Sequence, residues 1–245
     1  MDTFISFDLF IFILGTFAAA FVTGLAGFAF GLVAAAIWLY ALTPIQTTAL
    51  IVSYGFLVLS YAVWKLRHNL NVERLVPLIV GSAIGVPLGI LLLQWISPAH
   101  LRMAVGVLLI LFSLDNLLRP TMPSLKDAGR MADGGAGIVN GVVGGATGLA
   151  GIAIVIWSAL RGWQRGEQRA AVQPTGVATF LMTLLALGGT GSITPDILRL
   201  FALGLPFLVL GTWAGWQLYG TIDEAKFRKV VLGLLLISGL VLVVV

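Results

Sequence analysis

From residue 8 onward the chain is a succession of apolar runs, roughly 8–42, 46–64, 75–96, 99–118, 134–160, 170–190, 197–219 and 229–245, with polar residues gathered in short gaps between them. A helix that crosses a membrane needs about 20 consecutive apolar residues, and most of these runs have that length. Of the 245 residues, 59% are apolar and 10% carry Asp, Glu, Lys or Arg. So few charges cannot cover a water-exposed surface. The expected fold class is therefore an all-α polytopic membrane protein with the lipid bilayer as its partner. Thirty glycines without a period and the absence of cysteine exclude collagen-like and disulfide-stapled chains. The 14 Lys and Arg cluster between the runs rather than along one face, so nucleic acid is not an expected partner. Met1 to Asp8 holds two Asp and no basic residue; without a basic leader segment the first run is expected to be retained.

The first and fifth runs, 35 and 27 residues long, are too long for one simple helix and too short for two comfortable ones. Both are interrupted near their middle by the same pentapeptide, Thr23-Gly24-Leu25-Ala26-Gly27 and Thr147-Gly148-Leu149-Ala150-Gly151. Gly85, Gly89, Leu101 and Arg102 map onto Gly211, Gly215, Phe227 and Arg228 at an offset of 126, close to the 124 that separates the pentapeptides. Two repeats of four runs result: residues 1–118 and 134–245, joined by a cytoplasmic linker, 119–133, with two prolines and mixed charges. Trp38, Tyr40, Trp64, Trp95, Trp163, Trp216 and Tyr219 stand near run ends and fit interfacial belts.

Cytoplasmic loops collect Lys and Arg. If every run crosses once, the basic residues divide seven against seven. If instead runs one and five are hairpins bent at the pentapeptide, with the N-terminus outside, the inside collects Lys65, Arg67, Arg74, Arg119, Lys126, Arg130, Arg161, Arg165, Arg169, Lys226, Arg228 and Lys229, against Arg102 and Arg199 outside. A hairpin plus three crossings is an odd number of passages, so the second copy is inverted relative to the first, an arrangement common among secondary transporters. The architecture expected is two inverted repeats, each a re-entrant or broken helical hairpin plus three transmembrane helices. Hairpin arms of about 13–16 residues fall short of a full span, which favours re-entry.

Irregular backbone at membrane depth survives only where it is buried in protein or lines a polar cavity. Each glycine-rich bend opens a half-helix whose free N–H groups and dipole suit an anion. The candidate substrate-binding residues are therefore Thr23, Gly24, Gly27, Thr147, Gly148 and Gly151, the threonines adding hydroxyls. Gln46 and Gln173, near the starts of runs two and six, and Asn140, in the arm before the second bend, are further candidates. Arg169 either anchors a cytoplasmic loop or guides an anion to the mouth. Gly81, Gly85 and Gly89, spaced by four, and Gly211 with Gly215 read instead as helix-packing ridges. No Asp, Glu, Lys or Arg falls at the centre of a span, which argues against an intramembrane proton relay. The chain lacks a His-Glu-x-x-His pair, paired intramembrane aspartates and a Walker loop, so no enzyme activity, catalytic residue, metal or cofactor is expected. The leading expectation is a permease for a small anion. A membrane scaffold or assembly subunit, an anion channel, and a homo-oligomer stay open.

The duplicated glycine hairpins, the stretch Asn140-Gly-Val-Val-Gly-Gly-Ala-Thr-Gly-Leu-Ala-Gly151, the segment Arg161-Gly-Trp-Gln-Arg-Gly-Glu-Gln-Arg-Ala-Ala171 and the four-plus-four layout resemble the TauE/SafE sulfite exporter (toluene-sulfonate uptake permease) family. That resemblance spans nearly the whole chain. It implies a multi-pass permease of the bacterial cytoplasmic (inner) membrane that moves sulfite or an organosulfonate by alternating access. The chain carries Gly27-Phe28 and Gly151-Ile152 where the family often has a Gly-Gly or Gly-Pro pair.

Overall fold

The computed structural model describes residues 2–26, 30–66, 71–118, 125, 128–218 and 224–244. Its elements are the helices α1 (Asp2–Ala26), α2 (Phe30–Trp38), α3 (Pro44–Leu66), α4 (Val72–Trp95), α5 (Pro98–Leu118), α6 (Arg130–Thr147), α7 (Ile152–Leu160), α8 (Arg165–Gly189), α9 (Pro195–Leu218) and α10 (Glu224–Val244). There is no strand among the described residues. α1, α3, α4, α5, α8 and α9 each hold a stretch long and apolar enough to cross a membrane, and α10 a shorter one, Lys229–Val244.

Local chemistry sets the helix starts. α3, α5 and α9 each begin with Pro at the first helical position after Thr43, Ser97 or Thr194, where the missing N–H costs nothing and a hydroxyl can cap the turn. Gln46 N–H donates to Thr43 Oγ1 at 3.3 Å, and Ile197 N–H to Thr194 Oγ1 at 3.4 Å. Pro77, Pro87, Pro174 and Pro206 sit inside α4, α8 and α9.

The two over-long runs do break, but not into equal arms. A helix of 25 residues (α1) rises about 37 Å and one of 18 (α6) about 27 Å, whereas the nine-residue α2 and α7 rise only about 13 Å. Each hairpin is thus a long arm that reaches across, or nearly across, the roughly 30 Å hydrocarbon layer and a short arm that does not. The expected arms of about 13–16 residues assumed a central break. α1 instead stays helical through Thr23 and Gly24, because its face there rests on a neighbouring helix.

The chain forms two compact units that interleave the sequence halves. One comprises Met1–Ile51, Ile96–Pro120 and Thr194–Val245. Here α2 folds back on α1: Trp38 is fully buried, its ring centroid 5.3 Å from that of Phe12, and its Nε1–H donates to Phe12 O at 3.2 Å. Trp38 is therefore a staple inside the hairpin, not an interfacial residue, whereas Trp64, Trp95 and Trp216 are exposed. α1 packs along α9, where a methyl group on Gly211 or Gly215 would strike the carbonyl of Phe17 or Phe21. α5 and α10 cross with Gly106 and Gly239 backbone to backbone.

The other unit comprises Val52–Trp95 and Thr121–Ile193. Its most extensive contact is α4 on α6. Gly81, Gly85 and Gly89 meet the carbonyls of Gly134, Ile138 and Val142, while Gly137, Gly141 and Gly145 meet Leu78, Ser82 and Val86. Lipid tails are as apolar as leucine, so helices associate in a bilayer through close approach rather than through burial from water. Two facing glycine ridges provide that approach. α8 lies against α4, α6 and α7, with Leu78, Ile154 and Ala171 forming a buried cluster.

Candidate functional site

The second bend is built entirely inside the unit that holds α4, α6, α7 and α8. α6 ends at Thr147, and Gly148 follows in the left-handed region at φ 74°, its N–H returning to Gly144 O at 2.8 Å. Gly151 is also left-handed, at φ 101°, and caps α7 without a side chain. Both positions need glycine, because a Cβ there meets the neighbouring carbonyl oxygen. Thr147 Oγ1–H donates to Val143 O at 2.7 Å, and Thr147 Oγ1 accepts from Leu149 N–H at 3.2 Å, which fixes the first half of the turn.

Asn140 holds the second half. Its side chain is fully buried; Oδ1 accepts from Gly151 N–H at 2.7 Å, and Nδ2 donates to Ser82 Oγ at 3.2 Å and to Thr179 Oγ1 at 3.1 Å. Ser82 Oγ–H passes to Gly137 O at 3.1 Å, and Thr179 Oγ1–H to Thr175 O at 2.7 Å. One amide thus ties the bend to α4 and α8, and both of its N–H groups are used on protein.

Among the described residues, no backbone carbonyl outside the helix accepts from the first turn of α7. Val155 is the first residue whose N–H reaches back into the turn, to Gly151 O at 2.8 Å. The amides of Ile152, Ala153 and Ile154 precede it and have no acceptor in the helix, although Ile152 and Ile154 are buried. The positive end of the helix dipole lies at the same place. Donors without acceptors, in a setting shielded from water, suit an oxyanion.

The base of this hairpin carries charge that run-reading placed elsewhere. α6 begins at Arg130, so the last residues of the expected 119–133 linker are helical, and Asp133 is only 3% exposed. Asp133 Oδ1 accepts from Trp157 Nε1–H at 2.8 Å and lies 3.4 Å from Arg161 Nε; Arg161 Nη1–H reaches Leu125 O at 3.3 Å. Arg161 is therefore more than a loop anchor. Nearby, Arg74 pairs with Glu167 at 2.8 Å and lies over the Trp163 ring at 5.3 Å. Tryptophan closes both hairpins, Trp38 in one and Trp157 in the other.

Of the expected site residues, Asn140, Thr147, Gly148 and Gly151 come together in the second bend. Gln173, on α8, is half-buried and its Oε1 has no partner among the described residues; Arg169, one turn earlier, is exposed. Thr23, Gly24 and Gln46 belong to the other unit. Thr23 Oγ1–H donates to Ala19 O at 2.7 Å within α1, and Gly24 is buried where a methyl group would strike Thr212 O. Gly24 is thus a packing glycine in a continuous helix, not a turning one. Gln46 Oε1 accepts from Thr43 N–H at 3.0 Å, capping α3. Gly27 lies outside the described residues. Ser82 and Thr179 join the bend only through helix packing; the mark Thr179 leaves in the sequence is the four-residue spacing Thr175-Thr179-Thr183.

Among the described residues no group of His, Cys, Asp and Glu could hold a metal ion. Comparison with curated proteins and with solved structures returned no match. A sequence model described as sulfite exporter TauE/SafE matches residues 11–242, nearly the whole chain. With six membrane-crossing stretches among its described helices, the chain is a multi-pass membrane protein that belongs to the sulfite exporter TauE/SafE family.

Proposed function

We propose that the protein is a permease that moves a small sulfur-containing anion, sulfite or an organosulfonate, across the bacterial inner membrane by alternating access. The observation that carries this is the second bend: three amides without a backbone acceptor among the described residues, at a helix start held in place by Asn140 and two left-handed glycines. In this reading Gly148 and Gly151 aim the amides, Asn140 and Thr147 position them, Gln173 can donate from its side-chain amide N–H groups, and Arg169 draws anions to the cytoplasmic mouth. Thr23, Gly24, Gly27 and Gln46 are the first-half counterparts, of which Thr23 and Gly24 would act through helix packing. No catalytic residue, cofactor or metal enters.

Two inverted repeats, 1–118 and 134–245 with a cytoplasmic linker at 119–133, remain the best account of the topology. Equivalent pairings in the two units support it. A long arm packs on the glycine ridge of a later-half helix in one (α1 on α9), and on that of its earlier-half counterpart in the other (α6 on α4). Gly211 and Gly215 face carbonyls four residues apart, as Gly85 and Gly89 do.

The test is uptake into proteoliposomes from a panel of labelled anions, with and without an imposed pH gradient. Saturable sulfite or sulfonate flux is expected; non-saturating flux would point to a channel. Carriage of neutral or cationic solutes with sulfite, sulfonates and sulfate all ignored would sink the proposal. Thr147→Ala separates a permease from a scaffold, since only a permease loses flux while still folding.

A further inference from the structure

Threonines inside these helices have a habit: Thr16, Thr23, Thr147, Thr179, Thr183 and Thr212 each donate to the carbonyl four residues back, at 2.7–2.8 Å. Thr175 does not. It is 0% exposed and its Oγ1 has no hydrogen-bond partner among the described residues. A buried hydroxyl left unpaired costs about 1–3 kcal/mol, so its retention wants a reason. Its place on α8 supplies one. Ala171, one turn before, packs against Ile154 in the first turn of α7, and Thr179, one turn after, receives Asn140. Residues four apart share a helix face, so Thr175 faces the segment between, where the free α7 amides begin. The first half has a matching feature: Thr47, directly after Gln46, is 2% exposed and its Oγ1 is also without a partner among the described residues.

Among the described residues of this unit, charged groups stand at the helix ends. Glu73 and Arg74 open α4, Arg130 and Asp133 open α6, Arg161 follows α7, and Lys65 ends α3. Arg165, Glu167 and Arg169 occupy the start of α8; Arg169, exposed, is the nearest to Thr175, about 9 Å of helix rise away. The donors at the bend are therefore neutral. Removing an ion from water costs energy that rises with the square of its charge, so a dianion pays about four times what a monoanion pays, and neutral dipoles offset the smaller cost far more readily.

We infer that Thr175 completes an uncharged oxyanion cradle with the first-turn amides of α7, and that the cradle takes a singly charged sulfur oxyanion, hydrogensulfite or an organosulfonate, in preference to sulfite dianion or sulfate. This rests on the transport function proposed above. The experiment is uptake by proteoliposomes holding wild type, Thr175→Val or Thr175→Ser, with total sulfite, methanesulfonate and sulfate, across pH values on both sides of sulfite's second ionisation. The KM for total sulfite should rise about tenfold per pH unit once the monoanion becomes the minor form, while that for methanesulfonate stays flat and sulfate competes poorly. Thr175→Val should raise KM for both monoanions about tenfold or more, with unchanged or higher thermal stability, and Thr175→Ser should restore it. A pH-independent sulfite KM, or a Thr175→Val protein with wild-type KM, overturns the inference and leaves the transport function standing. Wild-type vesicles that carry none of the three anions overturn both.

Discussion

Gly151 and Asn140 act as one device. At φ 101° the Gly151 backbone can turn only because it has no Cβ, and its N–H is then aimed at an Asn140 carbonyl that is fixed by Ser82 and Thr179. Asn140→Ala leaves the Gly151 N–H without its acceptor in a buried place. A cost of about 1–3 kcal/mol is expected, read as a fall of roughly 2–4 °C per kcal/mol in the thermal midpoint of the purified protein, together with loss of anion uptake. Gly151→Ala forces an L-residue into the left-handed region at about 1–2 kcal/mol; the midpoint should fall by a few degrees and uptake with it. Gly24, in the matching pentapeptide, behaves differently: Gly24→Ala disturbs helix packing against Thr212, so its stability loss should exceed any effect on KM.

The glycine ridges depend on steric fit between helix backbones. Gly85→Val pushes two branched methyl groups into the Ile138 carbonyl on α6, and overpacking of this kind costs about 1–3 kcal/mol or more. Reduced expression and a lower thermal midpoint are expected, and the same substitution at exposed Gly166, with nothing within reach of its Cβ, should be mild by comparison. At the hairpin base, Asp133→Asn keeps the size of the side chain but removes the charge opposite Arg161. Because Asp133 is nearly buried and Arg161 only 14% exposed at its side chain, the pair is better shielded than the exposed ion pairs that contribute little. A loss of about 1–3 kcal/mol is expected, with Arg74–Glu167, about two-fifths exposed, contributing less. Thermal melting of Asp133→Asn beside Glu167→Gln checks the order.

The relative orientation of the two repeats is read directly by labelling from each side of the membrane. The chain has no cysteine, so single cysteines can be introduced without a background. Asp8, exposed near the start of α1, and Met131, 93% exposed at the start of α6, lie within one residue of matching positions at the offset of 124 that separates the pentapeptides. Inversion expects Asp8→Cys and Met131→Cys to be labelled from opposite faces of the membrane by an impermeant reagent. Labelling of both from one face would make the repeats parallel and remove the inversion.

Hydropathy along the chain was enough to name the solvent, the helical class and the two interrupted runs, because lipid demands long unbroken apolar helices and a break at that depth needs glycine. Those are local requirements, visible residue by residue. Helix packing had to be seen before the pentapeptides could be told apart. Gly148 turns the chain and Gly24 does not, since Gly24 is pressed against a carbonyl 188 positions further on. The same holds for Asn140, whose partners lie 58 and 39 positions away, and for Asp133, whose indole partner lies 24 away. In a bilayer, where one apolar surface is as good as another, steric fit and polar matching between distant segments choose the neighbours, and neither leaves a mark on hydropathy.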